Sequence, residues 1–159
     1  MQTFVPSSLS YRRSMQMLDN KRLGNQVYRE GKTLLSGGWK NHPASKMWAG
    51  YHYSLCHYCK AGAEEMYDRT LDGTGCWKSD VATRWIEYFD DLQKTLRPSG
   101  RPTWFGNREL HDSHKSNLLR KDYAYYSQFN WDVPDDLPYF WPIMKEINHL
   151  GIKPIQIRL

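Results

Sequence analysis

An all-α domain is what this sequence predicts, and three observations carry the expectation. Apolar residues recur at steps of three and four through most of residues 7–129, the spacing of a helix with one buried face. The segments so marked stop at glycine or proline. No stretch before the last few residues alternates as a half-buried strand does. Prolines at 134, 138, 142 and 154 then punctuate the chain. The expected architecture is a compact helical bundle, a single domain over 1–159. Residues 132–159 form an irregular, proline-rich C-terminal extension packed on it.

The first helix is expected to start at Ser7 or Ser8, either of which suits an N-cap, with Leu9, Met15 and Leu18 as its apolar stripe. Lys21 to Ser36 carries Leu23, Val27, Leu34 and Leu35 and stops at Gly37-Gly38. Asn41-His42-Pro43 reads as a loop entering a helix, because proline suits a first helical turn. From Ala44 to about Tyr67, Trp48, Tyr51, Leu55, Tyr58, Gly62 and Met66 mark one long amphipathic helix. Leu71 to Lys78 is a loop, and Ser79-Asp80 caps a helix that buries Val81, Trp85, Phe89 (or Tyr88), Leu92 and Leu96. Pro98-Ser99-Gly100 closes it. Residues 101–110 read as irregular, a further helix runs from about Asp112 to Phe129, and a short one occupies 143–149.

A chain of 159 residues suits one core. Its hydrophobic share of 40% and charged share of 25% are those of an ordinary globular protein. No apolar run approaches the ~20 residues of a membrane span, and MQTFVPSSLSYRR lacks the apolar run of a secretory signal. The expectation is a cytoplasmic protein with no membrane partner. Three cysteines, Cys56, Cys59 and Cys76, suggest no disulfide framework. A net charge of +5 favours an anionic partner. The cations are uneven: Arg12, Arg13, Lys21, Arg22, Arg29, Lys32, Lys40 and Lys46 crowd the first third, and Lys115, Arg120 and Lys121 form a second group. Aromatic residues reach 14%; most belong to the core, and rings beside cations also fit nucleic-acid stacking.

Four constellations bear on chemistry. Glu30 follows Arg29 on a helix, ordinarily a solvated ion pair worth roughly a few tenths of a kcal/mol. Yet Arg22, Arg29 and Lys32 lie close by, and such cations favour an ionised carboxylate able to act as a base or to steady a developing cation. Asn41 and His42 either cap a helix or present hydrogen-bonding groups to a base or sugar. His52, Cys56 and Cys59 fall on one helical face and could supply three zinc ligands, with Cys76 or His57 a fourth. That face is the apolar one, and cysteine is commonly buried, so no metal and no cofactor are expected. The segment from His111 to Asp122 either opens a helix with Leu118 and Leu119 in the core or forms a phosphate clamp from His111, His114, Ser116, Asn117, Arg120 and Lys121. No Walker loop, dinucleotide fingerprint, HExxH or nucleophile elbow is present.

The strings RLG (22–24), YRE (28–30), GW-x-NHPA-x-x-MW (38–48) and H-x-S-H-x-SNLLRKD (111–122) together resemble the pyrimidine-dimer DNA glycosylases of phages and bacteria, the endonuclease V type. The resemblance spans roughly residues 1–60 and 101–131. It implies a compact all-α monomer acting on double-stranded DNA, in the cytoplasm of a bacterial host if viral. Such enzymes flip a nucleotide out of the duplex, attack sugar C1′ with the chain's own α-amino group to form an imine, and cleave the strand by β-elimination, aided by a glutamate that Glu30 matches. The relatives expose a small second residue after methionine trimming; here position 2 is Gln, so the nucleophile is the amine of Met1, or of Gln2 after processing. One extra residue separates RLG from the glutamate, which leaves both Arg29 and Glu30 as candidates for the catalytic slot.

The same reading puts Arg12, Arg13, Lys21, Arg22, Asn25, Gln26, Lys46 and the 111–121 segment on DNA, with Trp39, Asn41 and His42 near the lesion. The chemistry stands without the name. An α-amine has a pKa near 7.7–8.0 against ~10.4 for lysine, so far more of it is neutral and nucleophilic at neutral pH. Distorted pyrimidines also cost less to extrude. Two other readings keep the scaffold and change the activity: an enzyme that processes or installs a hypermodified pyrimidine in phage DNA, and a non-catalytic DNA-binding module.

Overall fold

The computed structural model describes residues 1–142. These are helical, and no strand occurs among them. Helix α1 spans Tyr11–Met17, α2 Asn20–Asn25 and α3 Lys32–Leu35, with a π-helical turn, Gln26–Gly31, joining the last two. Helices α4 (Pro43–Met47), α5 (His52–Asp72), α6 (Ser79–Lys94), α7 (Arg108–Lys121) and α8 (Tyr123–Tyr126) follow, and a 3-10 turn covers Ser127–Phe129. The helix expected at 143–149 lies outside the described residues.

The N-cap of α1 is Ser10, not Ser7 or Ser8: its Oγ accepts from Arg13 N at 3.0 Å. Ser7 is occupied earlier, its N–H donating to Ser14 Oγ at 2.9 Å and its Oγ accepting from Leu9 N at 3.1 Å. Leu9 drops out of the expected stripe and is 75% exposed, while Met15 and Leu18 are fully buried. The Lys21–Ser36 segment forms where the pattern placed it. Leu23, Val27 and Leu34 are buried, and Gly37 at φ 84° stops it.

The expected long helix from Ala44 is two helices. Residues 48–51 break it, with Gly50 in the left-handed region at φ 80°. The periodicity misled because Trp48 and Tyr51 are core residues whichever way the backbone turns. Trp48 Nε1 donates to Thr3 Oγ1 at 2.9 Å, beneath the N-terminal segment. Helix α5 is the central element and packs against α1, the π turn and α6. On α6 only Ala82 and Phe89 are buried; Val81, Trp85, Leu92 and Leu96 are half-buried and Tyr88 is 39% exposed. Helix α7 begins at Arg108, earlier than expected, because Asn107 Oδ1 caps it by accepting from Leu110 N at 3.2 Å. Asp122 ends α7 and caps α8, so the expected helix through Phe129 is broken there.

One buried charge cluster ties α1, α2 and α5 together. Arg69 on α5 reaches Glu65 Oε1 at 3.1 Å and Asn20 Oδ1 at 3.0 Å, and donates to the carbonyls of Met15 and Gln16. Burial of that guanidinium is tolerable because its donors are met. Residues 132–142 run back along α7, where Ser116 Oγ accepts from Leu137 N at 2.9 Å and Ser113 Oγ from Phe140 N at 3.1 Å.

Candidate active site

The segment that shapes the site is not helical. Residues 2–7 are buried although they open the chain, whereas an untied terminus would fray. Several of the backbone groups that burial strips of water find a side chain. Phe4 N donates to Gln26 Oε1 at 3.0 Å, and Tyr58 Oη donates to the Phe4 carbonyl at 2.7 Å with Gln26 Oε1 at 2.9 Å. Val5 is held by two histidines of α7. Its N–H donates to His114 Nδ1 at 2.8 Å, and His111 Nδ1 donates to its carbonyl at 2.6 Å. Since Gly106 N donates to His111 Nε2 at 2.9 Å, the partners fix opposite tautomers for the two rings.

Anchored in this way, the segment delivers Met1 and Gln2 to a cleft of about 330 Å³ lined also by Phe4, Lys21, Arg22, Asn25, Gln26, Glu30, Lys121 and Tyr139. Arg22, Gln26 and Glu30 come from one face of α2 and the π turn. In an unbroken α-helix, residues four apart drift by about 40° around the axis. An i→i+5 turn rotates each residue by less and keeps these three in line. Arg29 is exposed and is not among the cleft residues. Between the two candidates for the catalytic slot, Glu30 is the one in the cleft.

The charges around the cleft are mostly cationic. Arg22 is paired with Asp19 at 3.2 Å; Lys21 and Lys121 are exposed and form no ion pair among the described residues. Burial, and after it the N-terminal ammonium, holds the His42 imidazole below its ordinary value. Its Nδ1 caps α4 by accepting from Ala44 N at 3.0 Å. Trp39 meets His42 edge-on at 6.2 Å between centroids. It is 58% exposed and sits at φ 56°, a left-handed backbone unusual for so bulky a residue. Asn41 and Lys46 are exposed nearby. Tyr58 is raised far above the ordinary phenol value by burial first, with Cys59, Tyr11 and the Glu30 charge adding to it.

Other candidates are placed elsewhere. Arg12 faces carboxylates of α5, with Glu64 at 3.6 Å, Glu65 at 3.3 Å and Asp68 closer still. Arg13 is exposed and reaches Gln16 Oε1 at 3.4 Å. The phosphate clamp expected from the 111–121 segment does not form as such. His111, His114, Ser116 and Asn117 are all buried, spent on Val5, Leu137 and the helix's own carbonyls. The concentration of polar side chains in this segment read as a phosphate clamp; the partners they serve are the distant segments 1–7 and 135–140. Arg120 is exposed, but it donates to the carbonyl of Asp135 at 2.8 Å and pairs with Asn117 Oδ1. Lys121 alone of that set lines the cleft. Cys56 and Cys59 are buried, Cys56 donating to the Phe89 carbonyl at 3.1 Å, while His52 is exposed. No group of three metal-ligating side chains occurs among the described residues.

Phe4 and Tyr139 were not anticipated in the site. The signal for Phe4 was the apolar Phe4-Val5-Pro6 ahead of the first helix, which no helical face accounts for. Nothing local marks Tyr139; it is placed by the return of the chain along α7.

The fold and cleft define a helical protein that presents an N-terminal amine and a carboxylate together in a cationic recess. The family model of the pyrimidine dimer DNA glycosylases matches residues 1–79, just under half of the chain, and over those residues the chain is similar to that family. The matched region holds all of the cleft except Lys121 and Tyr139. No curated protein and no solved structure matches the chain.

Proposed function

We propose that the protein is a DNA glycosylase with AP-lyase activity on damaged or modified pyrimidines in double-stranded DNA. The family match supports the glycosylase role in repair. The observation that carries the rest is that Met1 and Glu30 line one cleft with Lys21, Arg22 and Lys121. In this reading a nucleotide is flipped from the duplex, which costs least where damage has already weakened stacking. The neutral α-amine attacks C1′ as the glycosidic bond breaks and the base leaves with a proton. The secondary amine so formed, having given that proton to the base, opens the sugar: the C1′–O4′ bond breaks, O4′ takes a proton from water, and the nitrogen lone pair completes the cationic imine. Glu30 stabilises that cation and moves protons. Removal of a 2′ proton then expels the 3′ phosphate by β-elimination. Lys21 and Lys121 hold the flanking phosphates.

Borohydride present during incubation with an abasic or dimer-containing duplex tests this directly. A covalent protein–DNA adduct that disappears when the α-amine is acetylated is expected. Release of an intact altered nucleoside, or no adduct with either duplex, would overturn it. Glu30→Gln should lower strand cleavage by roughly 10²–10⁴-fold, the usual range for a proton-transfer group, with unchanged thermal stability.

A further inference from the structure

The helical segment that carries Glu30 into the cleft presents a second set of side chains on another face. Tyr28 and Lys32 are four residues apart and share that face; Glu30 is two residues from each, roughly half a turn away. Both are exposed and stand against α6. There Lys32 joins Val81, Arg84, Trp85 and Tyr88 around a recess of about 350 Å³. Trp85 is its hub. The fully buried Phe89 is stacked on it at 5.7 Å and 25°, Tyr88 meets it edge-on at 5.4 Å, and Tyr28 lies 6.3 Å away, tilted by 34°. Lys32 Nζ sits over the indole, 5.6 Å from the ring centroid.

Neither core packing nor the imine chemistry accounts for this group. Tyr28 and Tyr88 are each 39% exposed. Arg29 and Lys32 form no ion pair among the described residues, and Arg84 has only the exposed partner Asp80 at 3.5 Å, a kind of pair that contributes little. Arg29 lies between the two faces, one residue from Glu30 and one from Tyr28. Cations therefore run from Lys21 and Lys121 in the cleft, past Arg29, to Lys32 and Arg84 at the recess. A cationic track beside exposed rings is how proteins hold single-stranded DNA, the cations following the phosphates and the rings taking base faces. A duplex keeps those faces in its own stack. Continuity with the cleft favours a nucleic-acid strand over an acidic peptide, which the same cations would also attract. We infer that the recess between α3 and α6 seats unpaired nucleotides of a DNA strand leaving the cleft: bases lie against Trp85 and Tyr88, while Arg29, Lys32 and Arg84 hold phosphates. Such a seat reads no sequence, because every base has a π-face. It depends on the proposed DNA-binding reading of the cleft and on none of the imine chemistry. Arg84, Trp85 and Tyr88 lie beyond the family-matched residues 1–79, so α6 supplies most of the seat from outside the matched region.

The test measures dissociation constants by anisotropy for a blunt duplex and for the same duplex carrying a single-stranded oligothymidine tail, with free oligothymidine and polyglutamate as competitors. The tail should tighten binding by the wild-type protein about tenfold or more, the scale of one base stacked on an aromatic ring. Trp85→Leu keeps an apolar contact with Phe89, and Tyr88→Ala changes an exposed position that spares the core. Each should remove most of the gain from the tail and leave affinity for the blunt duplex as it was. Equal affinity of the wild-type protein for the two duplexes, or retention of the gain by both variants, would overturn the seat. Competition by polyglutamate as effective as that by oligothymidine would also overturn it, in favour of an acidic peptide. Failure to bind either duplex would defeat the DNA-binding reading and the seat together. Absence of borohydride trapping with the gain from the tail intact would defeat the imine mechanism alone.

Discussion

His114 shows how much one side chain can settle. It is fully buried, and its Nδ1 must remain a lone pair to accept from Val5 N. Burial first, and the neighbouring His111 second, lower its pKa from 6.5 to about 3. The unfolded chain therefore takes up this proton before the folded one does. The stabilisation is complete above pH 6.5 and is lost as pH falls toward about 3, by up to ~1.4 kcal/mol per pH unit for this group. His111 is shifted the same way, by burial above all. The urea midpoint should accordingly drop between pH 7 and pH 5, and His114→Asn, which keeps an acceptor but cannot titrate, should flatten that slope. An unchanged slope would mean that the two rings do not govern it. Because Val5 leads directly to Met1, trapping should decline over the same acid range.

Among the elements, the π turn and its seat on α5 position the site. Gly31 has no room for a side chain: a Cβ would lie 2.2 Å from Cys59 Sγ and 2.6 Å from the Gln26 carbonyl oxygen. Gly62 on α5 is similarly closed by Val27 Cγ2 at 2.7 Å. These contacts press the turn onto α5 and fix the rotation that aims Gln26 and Glu30. Gly31→Ala should cost about 1–3 kcal/mol through overpacking, read as a lower urea midpoint. Strand cleavage should fall further than loss of folded protein explains, since the clash with the Gln26 carbonyl must distort the turn bearing Glu30. The stretch 137–140 is the other positioning element, bound to α7 through Ser113, Ser116 and Asn117, and it is why those polar residues are buried.

Across the whole molecule the net charge of +5 is divided between cations that hold the fold and cations that face outward. Arg12 and Arg69 hold carboxylates of α5; Lys21 and Lys121 flank the cleft. Binding to duplex DNA should fall linearly in log–log form with salt, with a slope of about 0.9 per phosphate neutralised. Lys21→Ala and Lys121→Ala should each reduce the slope by roughly that amount. Arg12→Ala should lower thermal stability and leave the slope as it was. Equal slopes for all three variants would place the DNA on another face.

Much of this was written in the residue pattern. The helical character, the buried Leu23, Val27, Trp48, Leu55 and Met66 and the stop at Gly37 follow from spacing, because spacing is a property of local chain geometry. What spacing could not supply was the use of residues 2–7 as a buried strap, since no local rule says that Val5 will be met by histidines more than a hundred positions later. For the same reason the polar face of α7 read as a DNA contact when its partners were other parts of the chain. Tertiary packing decided which of Arg29 and Glu30 enters the cleft and brought Tyr139 to its wall: a buried polar group takes whatever partner the fold brings within about 3 Å, and sequence separation places no limit on that choice.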